Sequence, residues 1–94
     1  MNIFIRNTWF TGQVNNISGV PVQIPDNIHL YDGCTVLNPS GSLGSIYVGN
    51  SGVTRTTGFL ITPNAGMTVK VDNPSLIWAV SESGSINSLH WYAS

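Results

Sequence analysis

Turn-forming residues break this chain about every 8–12 positions, and no window of about 11 residues sustains an apolar repeat of 3.6. Apolar side chains come instead in short runs, many of them alternating with polar ones. Such runs suit strands that bury one face and are joined by tight turns. Eight to ten short strands can be traced. They predict an all-β, single-domain fold spanning residues 1–94: an antiparallel β-sandwich or a jelly-roll-like barrel.

In chain order, Asn2 to Arg6 alternates Ile3 and Ile5 against Phe4 and reads as a first strand, turned by Asn7-Thr8. Trp9 and Phe10 would point to opposite faces of an extended chain, one into the core and the other toward a satellite contact or a subunit interface. Residues 12–18 are polar apart from Val14 and Ile17. Asn16-Ile17-Ser18 matches a glycosylation sequon that carries little weight without a secretion signal. Pro21 cannot donate to a ladder, so residues 19–24 read as an edge strand or an extended arm. Residues 1–26 together are thus an arm or edge-strand region. Asn27–Tyr31, Asp32-Gly33 and Cys34–Leu37 have the pattern of a hairpin. In the loop over 38–44, Leu43 is expected to tuck inward.

Ile46–Val48 and Phe59–Ile61 read as two core strands joined by a Thr-rich crossing segment, with Phe59 buried. Met67 to Asp72 alternates cleanly. Leu76–Val80 is a continuous apolar run, expected as a central strand covered on both faces, with Trp78 in the core. Residues 86–92 form the last strand, with Asn87, Leu89 and Trp91 on one face and Ser88, His90 and Tyr92 on the other.

Charge bears on what such a fold can bind. Only 7% of the 94 residues are charged, against roughly 25% in an average soluble domain. They are Arg6, Arg55, Lys70, Asp26, Asp32, Asp72 and Glu82. Asn, Ser, Gly and Thr, with 10, 11, 10 and 8 residues, fill the surface instead. With a net charge of -1, little repulsion keeps copies apart. A chain this short buries roughly 60–65% of its unfolded surface, so self-association would add useful stability. Three basic residues leave no footprint for nucleic acid. The apolar runs fall short of the roughly 18 residues of a membrane span. Residues 1–6 lack the basic and apolar regions of a secretion signal. The single Cys34 can form no intrachain disulfide and reads as a small buried hydrophobe in a chain folded in a reducing cytoplasm.

Chemistry-bearing patterns are sparse. His29 and His90 sit in no nucleophile–base motif, and there is no Gly-x-Ser-x-Gly elbow. Asp26, Asp32 and Glu82 lie in turns and Asp72 ends a strand, which suits ordinary turn roles better than paired acid–base work. Neither metal-ligand spacing nor a phosphate-binding glycine loop is written in the chain. The expectation is a protein that is not an enzyme and needs no cofactor or metal. Arg55 is either a loop-tip cation or a bidentate partner for a carboxylate on a neighbouring subunit. Exposed aromatics among Trp9, Trp91, Tyr31, Tyr47 and Tyr92 are candidates for stacking on sugar rings, and Trp91-Tyr92 for docking onto a neighbour.

The segment Ser45 to Val80 resembles a pattern found in small virion proteins of tailed bacteriophages. Its elements here are Ile46-Tyr47-Val48-Gly49, Gly52-Val53-Thr54, Thr56-Thr57-Gly58-Phe59, Pro63 to Gly66, Met67-Thr68-Val69 and Ile77 to Val80. Thr35 to Asn38 is similar to the strand that accompanies them, whereas residues 1–30 fall outside the pattern. The resemblance implies a small β domain attached to a capsid or another part of the particle. The resulting expectation is a capsid decoration (cement) protein on the virion surface, made in the host cytoplasm. It would form a homotrimer that binds the major capsid protein or another virion protein. Trp9, Phe10, Arg55, Trp91 and Tyr92 are its expected interface residues. The alternatives are a tail, neck or fibre-attachment component, or a carbohydrate-binding β-sandwich module.

Overall fold

A computed structural model of the chain describes residues 9–82 and 84–94. The strand and turn expected over residues 2–8 lie outside the described residues. Eight strands are described: β1 (Phe10–Ile17), β2 (Val22–Gln23), β3 (Cys34–Leu37), β4 (Ile46–Gly49), β5 (Phe59–Ile61), β6 (Gly66–Val69), β7 (Trp78–Ser81) and β8 (Asn87–Ala93). A 3-10 turn, Pro74–Leu76, precedes β7.

The strands form two four-stranded sheets, ordered β1-β8-β3-β6 and β2-β7-β4-β5, with antiparallel pairing throughout. Strands β1 and β8, β2 and β7, β3 and β6, and β4 and β5 are all partners, as when one long hairpin is wrapped into two layers. That is the strand order of a jelly roll. The sheets remain a sandwich, with β1 and β6 as the edges of one and β2 and β5 as the edges of the other; they do not close into a barrel.

Between the sheets lie Ile17, Cys34, Val36, Leu89, Trp91 and Ala93 from the first and Ile46, Val48, Ile61 and Ala79 from the second, with Ile24, Leu30 and Ile77 from connecting segments. A buried polar knot ties the layers together. Ser81 Oγ donates to the Ile17 carbonyl at 2.7 Å, and Asn87 Nδ2 donates to Ser81 Oγ at 3.2 Å. Asn87 Oδ1 accepts from the Leu43 backbone N–H.

The polar run after Phe10 is the longest strand. Thr11, Gln13 and Asn15 face solvent, while Phe10, Gly12 and Val14 are half-buried on the other side. A bulge shifts the register between Val14 and Ile17, and Asn16 takes φ 60 there, which returns Ile17 to the core.

Several expectations are corrected. Residues 27–31 alternate in burial as expected, with Leu30 buried, yet they form no strand. Leu30 N–H donates to the Asp72 carbonyl, and Tyr31 and Asp32 donate to that of Ser94. The neighbours of β3 are β6 and β8, so no ladder position remains for a hairpin partner. Asp32-Gly33 does turn the chain, with Gly33 at φ 93. The apolar run 76–80 is divided: Leu76 ends the 3-10 turn and is exposed, and only Trp78 onward joins the sheet. Trp78 is half-buried rather than core. Leu43 is exposed.

The segment between β4 and β5 folds over the outer face of the second sheet. Val53 and Val80 are buried, although Val80 points away from the interior. Thr54 organises the segment, its Oγ1 accepting from the backbone N–H groups of Thr56 and Thr57. Arg55 is exposed as a residue, but its Nε donates to the Ser81 carbonyl at 3.0 Å. It therefore pins the segment to β7 instead of standing free at a loop tip. Gly58 allows the close approach: a Cβ there would stand 2.6 Å from Tyr47 Cβ and 2.9 Å from the Thr54 carbonyl oxygen.

Candidate functional site

Two surface features depart from the polar, sparsely charged background. The first lies on the outer face of the β1-β8-β3-β6 sheet. Strand register sets its side chains in rows. Thr11, Tyr92, Thr35 and Thr68 form one row, and Gln13, His90, Leu37 and Gly66 the next. Thr35 and Thr68 share a hydroxyl–hydroxyl hydrogen bond of 2.9 Å. Trp9, just before β1, sets its ring edge-to-face against Tyr92, with centroids 6.5 Å apart and planes at 84°. Both rings are open to solvent, Trp9 at 66% and Tyr92 at 54% of full exposure. Trp9, Tyr92, Gln13, His90, Thr35 and Leu37 bound a groove of about 420 Å³. None of its lining residues is Lys, Arg, Asp or Glu.

The second feature is the side of the sandwich where edge strands β5 and β6 lie. An apolar cleft of about 290 Å³ is lined there by Phe59, Met67, Val69, Val71, Leu76 and Ile77, among others. Phe59 stands opposite Val48 in the ladder and Ile61 opposite Ile46. Period 2 therefore aims Phe59 toward the interior side, but at the sandwich margin, where it remains 64% exposed. The expectation of a buried Phe59 is thereby corrected. Beside it, Leu60 points outward at 50% exposure and Leu76 stands at 53%.

The residues expected at an interface separate. Trp9 and Tyr92 are exposed and adjacent. Phe10 is half-buried and packs against the core. Trp91 is 3% exposed and belongs to the core, which corrects its expected role as a docking anchor. Arg55 lies on the other sheet, over β7. Gln13, His90, Thr35 and Leu37 were not singled out from sequence as groove residues. Their signal was present in the period-2 patterns of β1, β3 and β8, but polar alternation in β1 is easily read as a loop. Among the described residues no three or more of His, Cys, Asp and Glu gather as a metal site. His29 packs edge-to-face on Tyr31, away from the groove. Cys34 is buried in β3.

No family model, curated protein or solved structure matches this chain.

Proposed function

We propose that this chain is a structural protein of a tailed-bacteriophage virion: a decoration protein that assembles as a homotrimer on the head and stabilises it through many weak contacts with the major capsid protein. The observation that carries this reading is the β5–β6 side of the sandwich. Two sheet edges flank an apolar cleft there, and Phe59, Leu60 and Leu76 project from a domain with almost no charge to oppose association. Apolar side chains clustered beside edge strands are what a self-associating protein covers. The segment that resembles small virion proteins supports the reading, since its elements fall on β4 through β7 and the turns between them. Repetition over a shell lets weak single contacts add as avidity.

Heads lacking decoration test this. Mixed with such heads at about 10 µM, the protein should pellet with them, and Phe59→Asp should remain in the supernatant. Immunogold label should then decorate the head of intact particles. A wild-type protein that stays soluble overturns the reading; label confined to the tail or neck replaces the head with that location.

A further inference from the structure

We infer that the groove on the outer face of the β1-β8-β3-β6 sheet is a binding site for a neutral carbohydrate, separate from the apolar cleft used for assembly. A pyranose ring presents an apolar face of C–H groups and a rim of hydroxyls that both donate and accept. Its complement is an exposed aromatic face with uncharged polar groups around it. The groove offers this set. The edge-to-face pair of Trp9 and Tyr92 leaves each residue more than half exposed. Gln13 supplies an amide, His90 an imidazole and Thr35 a hydroxyl, all in neighbouring positions across three strands. The side chains of Gln13, His90 and Tyr92 make no hydrogen bond to any described residue, so a ligand displaces water from them and breaks no bond within the fold. The volume of about 420 Å³ lies within the range of small-ligand sites.

Charge narrows the ligand class. With no Lys or Arg in the lining, an anionic sugar or a nucleic-acid phosphate would be desolvated without a fixed charge to pair with. An apolar peptide segment would strand the amide, imidazole and hydroxyl without partners. The strand pairing holds Tyr92, His90, Gln13 and Thr35 in fixed register before any ligand arrives, which reduces the ordering cost of binding.

The test is titration of the full chain with maltohexaose, cellohexaose and xylohexaose, followed by amide chemical shifts, with polygalacturonate as the anionic comparison. At least one neutral oligosaccharide should saturate at or below about 10 mM, with shifts centred on Thr11 to Gln13 and Ser88 to Tyr92. Tyr92→Ala and Trp9→Ala should each weaken that binding by about tenfold or more, while Leu60→Ala, exposed on the other sheet, leaves it unchanged. Thermal unfolding of each variant checks that the fold is kept. Failure of all three sugars overturns the inference, as does binding indifferent to both aromatic substitutions or a preference for polygalacturonate. Phe59→Asp should keep the sugar binding, because Phe59 lies outside the groove, so its loss of head binding reports separately on the assembly reading.

Discussion

Trp91 and Tyr92 are neighbours in sequence and opposites in consequence. The β8 pleat sends the Trp91 indole inward over Gly12, where a Cβ would come within 2.6 Å of the ring, and sends Tyr92 out to the groove. Trp91→Ala should therefore cost about 3–5 kcal/mol in urea unfolding. Tyr92→Ala should cost less than about 1 kcal/mol. Similar losses for the two would contradict this placement. Cys34 carries a pH signature. Burial pushes its thiol up from 9.0 to about 11. Between those values the unfolded chain releases a proton that the native chain holds. The stabilisation is thus complete below about pH 9 and lost as pH rises through about 11, a fall on the order of 2–3 kcal/mol. Urea midpoints measured from pH 8 to pH 11 should decline more steeply for the wild type than for Cys34→Ala; parallel declines would remove the thiol as the cause.

Among the elements, the crossing segment between β4 and β5 holds the outer face of the second sheet closed, through Val53 packing and the Arg55 bond to Ser81. Gly58→Ala should destabilise by about 1–3 kcal/mol, since the new methyl meets Tyr47 and backbone. Arg55→Ala should cost about 1 kcal/mol, for a hydrogen bond made at a partly exposed site. Thermal unfolding distinguishes these from a free loop, for which both changes would be neutral. Sequence made some elements far more legible than others. In β8, alternation of Asn87, Leu89 and Trp91 against Ser88, His90 and Tyr92 reports burial directly, and the structure follows it. The same alternation in residues 27–31 also reports burial correctly, yet ladder pairing depends on which strand lies alongside, and β8 occupies that place. The strand β1 was obscured because three of its outward residues are polar and its core contact, Ile17, sits beyond a bulge.

For the whole molecule, the all-β sandwich was readable from turn spacing and from the absence of helical periodicity. A jelly-roll-like barrel stood beside it as the alternative, and the strand order that combines jelly-roll pairing with an open sandwich was not readable, because it is set by long-range pairings that local patterns do not encode. The candidate sites were partly readable. Trp9 and Tyr92 stand out as aromatics in the sequence, but their meeting depends on β1 pairing with β8. Phe59 looked like core because strand pattern reveals the face a residue takes and not how far the opposing sheet extends. That margin is where the account can be tested most directly. Sedimentation velocity at about 10 µM should show the wild type as a trimer and Phe59→Asp as a folded monomer, which still unfolds cooperatively but at a lower temperature because the subunit contacts are lost. A wild-type monomer, or a trimer that Phe59→Asp leaves intact, would contradict assembly through the β5–β6 side.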